Sequence, residues 1–273
     1  MNNKTITLME TESGHWYDIG DTEVGEHHFL PSSTNILDCY PNKGLDFWRE
    51  TSSPEEIRKA QEDGIAQGSK MHKCIELQLL GQKVLGNGIT EAQILALGIV
   101  DKKLIRYLKE PLTKREEEAL VGFENFWEEF KPVTVGSEIM VYSLKHGYAG
   151  TLDWIGYLYN KKKKKYELFI IDWKISKSLN RSYDLQLASY WKAFEETYKK
   201  KIGGARLGIL QLGKNKCLYS FKEVKDKKSA WKMFLTTKEI WHDSHPNARP
   251  KVTNRREEFS INQYKKKGKS IKI

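Results

Sequence analysis

Between Pro132 and Trp173 the chain carries three consecutive stretches rich in β-branched and aromatic residues: VTVGSEIMVYS (133–143), YAGTLDWIGYLY (148–159) and YELFIIDW (166–173). That composition favours strands. Only short turn-forming segments separate them, Lys145-His146-Gly147 in the first gap and the five lysines Lys161 to Lys165 in the second. Joins this short make neighbouring strands antiparallel, because a parallel return needs a long crossover. Pro132 closes the helical stretch that precedes the block, since proline removes a helical hydrogen bond. A three-strand meander is therefore the fixed point around which the rest must pack.

Upstream the signals are helical. Ser53 as N-cap, Pro54 at the first helical position and Glu55-Glu56 in the first turn form a helix start. Ile57, Ile65, Met71, Ile75 and Leu79 follow near helical spacing, while Gly64 and Gly68 leave room for a break or a close helix contact. Residues 90–130 also read as helical, with Thr113-Lys114-Arg115-Glu116 resembling a capping box. The opening segment has turn punctuation that suits a small hairpin, and Pro31-Ser32-Ser33-Thr34 introduces a short helix near Asn35–Cys39. Downstream the pattern predicts a helix over 182–199, strands over 205–212 and 216–222, and a helix over 227–241. No repeat and no long Pro/Gly/Ser linker appears, so one α/β domain over 1–273 is expected. Its parts are a mainly helical region (1–131), an α/β core (132–245) and a basic C-terminal tail (246–273), whose last stretch NQYKKKGKSIKI is expected to be mobile.

Hydrophobic residues at 39% and charged residues at 30% suit a globular chain. No run of about 18 apolar residues is present, which excludes a helical membrane span. The polar start MNNKTITLMETESGHW lacks an apolar signal core, so the expected compartment is the cytoplasm, bacterial or phage-infected. A net charge of +10 favours polyanionic partners, nucleic acid foremost, although basic proteins without such partners are common. Cys39, Cys74 and Cys217 form no CxxC pair, and reduced thiols are the expectation.

The chemistry gathers at Ile170-Ile171-Asp172-Trp173-Lys174. Residues two apart on a strand share a face, so Asp172 and Lys174 project together. Burying an acid and an amine after an apolar run is costly unless they share a task or a metal. In the preceding strand, Gly150-Thr151-Leu152-Asp153 offers a second carboxylate to set beside Asp172. Two such carboxylates make a hard-oxygen site suited to Mg²⁺ or Mn²⁺. A surface Asp–Lys pair with an unrelated Asp is the blander alternative.

Four motifs stand in order along the chain: Gly68-Ser69-Lys70-Met71-His72, Gly150-Thr151-Leu152-Asp153, Asp172-Trp173-Lys174 and Gln186-Leu187-Ala188-Ser189-Tyr190. Together they resemble the RecB-like branch of the PD-(D/E)XK nuclease superfamily, whose pattern is GxxxH, GxxD, (D/E)xK and QxxxY. IIDWKISKS and LPSSTNIL are also similar to the group containing the mitochondrial genome maintenance exonuclease and phage-borne exonucleases. The resemblance covers roughly residues 28–195. It implies a restriction-endonuclease-like core, with a mixed central sheet flanked by helices and a helical N-terminal elaboration. It further implies Asp153 and Asp172 as metal-binding carboxylates, the backbone carbonyl of Trp173 as a further ligand, Lys174 as the catalytic lysine, and His72 as the helix histidine approaching the metal. Gln186 and Tyr190 become residues that support the site or touch the DNA backbone; ordinary helix–sheet packing is their alternative.

Other residues weigh less. Glu76 shares a helix face with His72 and either supports the site or is solvated. Glu138 opens the first strand and is read as a solvated strand end, with approach to the metal as the alternative. Trp16, Tyr17, Phe47, Trp48 and Trp154 can stack on unpaired bases, but core packing is the commoner use of such aromatics. Lys161 to Lys165 either touch phosphates or form a solvated hairpin tip. Three scattered cysteines exclude the four-cysteine iron–sulphur cluster of some CRISPR-associated relatives. There is no GxxxxGK[ST] motif and hence no ATP-driven motor. The expected activity is a Mg²⁺/Mn²⁺-dependent DNA exonuclease acting on single strands or ends in replication, recombination or repair. A structure-specific or defence endonuclease, or an inactive nucleic-acid-binding module, are the alternatives.

Overall fold

A computed structural model describes residues 4–11, 14–21, 25–99, 102–176, 178–215, 218–250 and 254–260. The predicted meander forms: β4 (Val133–Ser143), β5 (Tyr148–Asn160) and β6 (Lys165–Lys174) are consecutive antiparallel neighbours. After β6 the chain crosses through α7 (Ser182–Thr197) and returns as β7 (Arg206–Asn215), parallel to β6. β8 (Leu218–Glu223) then adds antiparallel, giving a mixed five-stranded sheet in the order β4-β5-β6-β7-β8. β6 lies at the centre of that sheet, which suits its run of apolar residues on both faces.

Helices cover both faces. On one, Ile139, Val141, Leu152, Ile170, Leu207 and Ile209 meet Leu187, Ala188 and Phe194 of α7, with Phe234 and Trp241 of α8 (Lys227–Ser244) behind them. On the other, Trp154, Leu158, Phe169, Ile171, Trp173 and Leu210 meet Met71, Cys74 and Ile75 of the long helix α3 (Pro54–Leu79) and Phe123 and Phe126 of α6 (Lys114–Phe130). Burying one such side chain stabilises the fold by about 1.5–3 kcal/mol. The alternation Ile170/Ile171, Asp172/Trp173 therefore fixes the register: a slip by one residue would put Asp172 into the aromatic cluster around Phe123.

The capping signals hold. Ser53 and Glu56 form a reciprocal capping box at the start of α3, and Thr113 and Glu116 form another at the start of α6. Residues 90–130 divide into α4 (Glu91–Ala96), α5 (Lys102–Lys109) and α6. α3 runs unbroken through Gly64 and Gly68, neither of which approaches anything, so the expected break or close contact is absent. Lys70, buried in α3, donates to the carbonyls of Glu110 and Pro111 at 2.9 and 3.0 Å and lies 3.4 Å from Glu116 Oε2. These bonds lock the second half of α3 against the start of α6.

The first 31 residues hold the expected hairpin, within a larger sheet that the mainly helical reading of 1–131 did not include. β1 (Lys4–Thr11), β2 (Gly14–Asp21) and β3 (Glu26–Pro31) form a second sheet, and β9 (Asn254–Ser260) completes it in the order β3-β2-β1-β9. Part of the basic C-terminal tail is thus a strand paired with β1. Its sequence, NRREEFS, is too polar for a period-two signal to stand out. The stretch expected to be mobile, NQYKKKGKSIKI, lies outside the described residues. Ile6, Tyr17, Ile19 and Leu30 seat this sheet on Met140, Tyr142 and Ala149 of the main one.

The short helix α1 (Ser33–Leu37) begins slightly earlier than expected, with Ser32 as its N-cap. Ser33 donates to the carbonyl of Ala149, and Ser189 of α7 donates to Ser33, which ties α1 to β5 and α7. α2 (Lys43–Thr51) buries no residue. No described helix is long and apolar enough to cross a membrane.

Candidate metal centre

Strand register builds the centre. In the β4/β5 ladder, Ser137↔Trp154 and Ile139↔Leu152 bracket Glu138 and Asp153. The β5/β6 ladder reaches Trp154↔Ile171, and its next step sets Asp153 beside Asp172. Three acids on three adjacent strands therefore stand in one row, Glu138–Asp153–Asp172. The Trp173 N–H donates to Asp153 Oδ2 at 2.7 Å and orients that carboxylate.

From the opposite side, α3 presents His72. Its Nδ1 lies 3.6 Å from both Glu138 Oε1 and Asp153 Oδ1. One ligand atom from each of His72, Glu138 and Asp153 falls within 4.8 Å of the other two. Glu138 thus joins the centre, whereas the sequence pattern favours a solvated strand end. Its backbone is left-handed, φ 50°, which for a glutamate costs about 1–2 kcal/mol. Backbone strain of that kind persists only where the surroundings impose it.

Asp172 is 1% exposed, and neither carboxylate oxygen meets hydrogen-bond geometry with a donor among the described residues. Lys174 Nζ stands 2.7 Å from Oδ2, close enough for an ion pair but off the angles of a hydrogen bond. Burial pushes the Asp153 carboxyl up to about 7; His72 and Lys174 pull it down, and Asp172 and Glu138 push it further up. Burial works against a charged His72, but Asp153 and Glu138 outweigh it and raise the imidazole to about 9. Burial also works against the Glu138 carboxylate, and the contact with His72 together with the Lys73 and His72 charges still brings it below the usual glutamate value. Lys174 is held above the usual lysine value against its burial, chiefly by Asp172 and Asp153. Two like charges about 4 Å apart repel by about 4 kcal/mol at an effective dielectric near 20. Such a row is tolerable only beside positive charge, and here His72 and Lys174 supply it.

The remaining candidates lie around this centre or away from it. Gln186 donates to Tyr190 Oη at 2.8 Å, and both are buried in α7. Burial raises the Tyr190 phenol well above its usual value, with Asp172 adding to the effect, so its hydroxyl stays protonated beside the acids. Glu76 pairs with Lys73 Nζ at 3.0 Å and is not among the three residues that converge. Trp16, Tyr17 and Trp154 are core residues, so they offer no open face for a base; the Tyr17 hydroxyl bonds with Thr151 Oγ1 at 2.9 Å. Phe47 is exposed and Trp48 half-buried on α2, and Lys161 to Lys165 form an exposed hairpin tip. Cys39 and Cys74 are free thiols, and Cys217 lies outside the described residues.

One contact was weighed as the lesser alternative and one was missed. Glu138 could have been placed by counting: a turn at 144–147 pairs Ser143 with Tyr148, and five residues from there along each strand set Glu138 opposite Asp153. The second is Tyr183, whose ring centroid lies 4.8 Å from Lys174 Nζ; no spacing rule announces it. Past Lys174, Arg115 of α6 donates to the carbonyl of Ile175 at 3.2 Å and the buried Gln211 donates to that of Ser176 at 2.6 Å. Both hold the chain leaving the centre.

No family model matches the chain, and no curated protein matches it. Among solved structures it is similar to one from Eubacterium rectale named "Putative exonuclease", at 12% identity over 70% of each chain and a TM-score of 0.40. A likeness of that extent carries no weight for fold or activity; the geometry of the centre does.

Proposed function

We propose that this chain is a metal-dependent nuclease that hydrolyses phosphodiester bonds in DNA, acting as an exonuclease on single strands or ends. The observation that carries the reading is the row Glu138–Asp153–Asp172 facing His72, with Asp172 buried and its Oδ1 without a donor among the described residues. Three carboxylates and one imidazole suit Mg²⁺ or Mn²⁺, the imidazole favouring tolerance of Mn²⁺. The residues that would hold such an ion are His72, Glu138, Asp153 and Asp172, with the Trp173 carbonyl as a further donor. Oδ1 of Asp172, buried and away from the Lys174 ammonium that pairs with Oδ2, fits that use, because a buried carboxylate oxygen without a donor is costly. When bound, the ion polarises a phosphodiester and lowers the pKa of a coordinated water.

The protein's own groups do the rest. Lys174 presents an ammonium beside Asp172, where it can orient the attacking water or offset charge developing on the phosphate. The Trp173 N–H fixes the rotamer of Asp153. Gln186 and Tyr190 back the acids from α7 and exclude water from behind them. The resemblance of the four ordered motifs supports the same assignment, and the net charge of +10 suits a polyanionic substrate.

Purified protein incubated with end-labelled single- and double-stranded DNA, with and without Mn²⁺, tests the reading. Metal-dependent release of labelled product that vanishes in Asp172→Ala and Lys174→Ala is expected. Unchanged cleavage in either folded variant defeats the site assignment. Closed circular single-stranded DNA separates exonuclease from endonuclease, because an exonuclease has no end from which to start.

A further inference from the structure

We propose that Tyr183 positions Lys174, its ring face holding the lysine ammonium in place when Asp172 is engaged by a cation. The inference rests on the reading of Lys174 as the lysine that serves cleavage. Among the described residues its ammonium meets Asp172 Oδ2 at 2.7 Å and the Tyr183 ring, centroid 4.8 Å away. They come from different elements. Asp172 shares β6 with Lys174, while Tyr183 is the second residue of α7, which begins eight residues beyond the lysine.

The two partners differ in what happens when a divalent ion enters. A carboxylate that serves the ion no longer attracts the ammonium as before, and the ion repels the ammonium directly. A lysine held by Asp172 alone would then swing through its rotamers. The negative face of an aromatic ring attracts a cation without carrying charge of its own. It does not compete for the ion, and α7 fixes its place. α7 is in turn anchored by Ser189 donating to Ser33 of α1 and by the Tyr148 hydroxyl of β5 donating to the Ser189 carbonyl at 2.9 Å. Tyr183 is half-buried and packs at the margin of the α7-side core, so a purely structural role must be told apart from positioning.

The variants Tyr183→Phe and Tyr183→Leu separate them, since the first keeps the ring face and the second keeps only bulk. Tyr183→Phe is expected to cleave within about twofold of wild type, whereas Tyr183→Leu should lose about tenfold in kcat, KM staying within about twofold. Mn²⁺ affinity by calorimetry should be the same in all three. A second readout needs no turnover. In protein labelled with ¹³C-lysine, the Hε/Cε signal of Lys174, identified by its loss in Lys174→Met, should be shifted upfield by the ring current in wild type and Tyr183→Phe. That shift should vanish in Tyr183→Leu and should persist in wild type when Mg²⁺ is added. Wild-type kcat in Tyr183→Leu, an equal loss in Tyr183→Phe, or a Lys174 signal indifferent to Tyr183→Leu overturns the proposal. If wild type cleaves no DNA, the nuclease reading fails, and the lysine signal still decides whether the ring holds the amine.

Discussion

Gly150 and Tyr190 are packed so closely that a Cβ added to Gly150 would lie 2.4 Å from Tyr190 Cε1. The glycine of the 150–153 motif is therefore a matter of clearance: it lets the phenol lie flat on β5 beside the acids. Gly150→Ala forces Tyr190 to move and breaks its bond with Gln186. The expected cost is about 1–3 kcal/mol of stability, as for other overpacked sites, with cleavage reduced. Urea unfolding of the variant checks the first part; a wild-type midpoint would mean that the ring yields freely.

That relationship marks what a sequence of this kind displays and what it hides. The meander, the capped helices and the four ordered motifs were legible because each rests on local rules: alternation, caps, or two residues on one face. Glu138 was legible only in part: counting along the strands sets it opposite Asp153, but its left-handed φ and its turn toward His72 depend on α3 arriving from 66 residues upstream. β9 was missed for a different reason: it is an edge strand rich in charge, paired with β1 from the far end of the chain. Gly64 and Gly68 misled in the other direction, since glycine weakens a helix without having to interrupt it, and here the caps and the Lys70 bonds keep α3 whole.

Asp153→Asn should part stability from activity. The asparagine keeps an acceptor for the Trp173 N–H and removes one of three crowded carboxylates. Metal-free protein is expected to melt at or above the wild-type temperature. The rise in melting temperature that Mn²⁺ gives wild type should disappear, together with cleavage. A variant that melts well below wild type without metal would show that the Asp153 charge serves the fold.

The raised imidazole sets a pH dependence with a definite sign. His72 titrates near 9 in the folded, metal-free protein and near 6.5 in the unfolded chain. Its contribution is therefore fully present below about pH 6.5 and is lost as pH rises toward 9, because in that window the folded state holds the extra proton. Metal binding runs the opposite way. An ion must displace that proton and the one shared by Asp153, which titrates near 7, so Mn²⁺ affinity should climb between pH 6 and 9 with proton release. Calorimetry in two buffers of different ionisation enthalpy measures the released protons. Affinity that stays flat across this range would exclude His72 and Asp153 as ligands.

Glu138 yields the sharpest separation, because its backbone and its carboxylate pull in opposite directions. Asparagine adopts the left-handed conformation more readily than glutamate, so Glu138→Asn relieves part of the local strain at φ 50°. It also removes a charge that crowds Asp153. Against these gains stands the loss of the His72 contact, 3.6 Å long between side chains 26% and 22% exposed, which also helps to raise the imidazole. The metal-free variant should accordingly unfold within about 1 kcal/mol of wild type on either side. Mn²⁺ affinity should nevertheless fall by about 10–100-fold, the scale on which altered carboxylates near a metal are felt. Thermal melts run with and without Mn²⁺ read both quantities from one sample. Undiminished stabilisation by Mn²⁺ would place Glu138 outside the metal's shell and leave its strained backbone without a reason in the site.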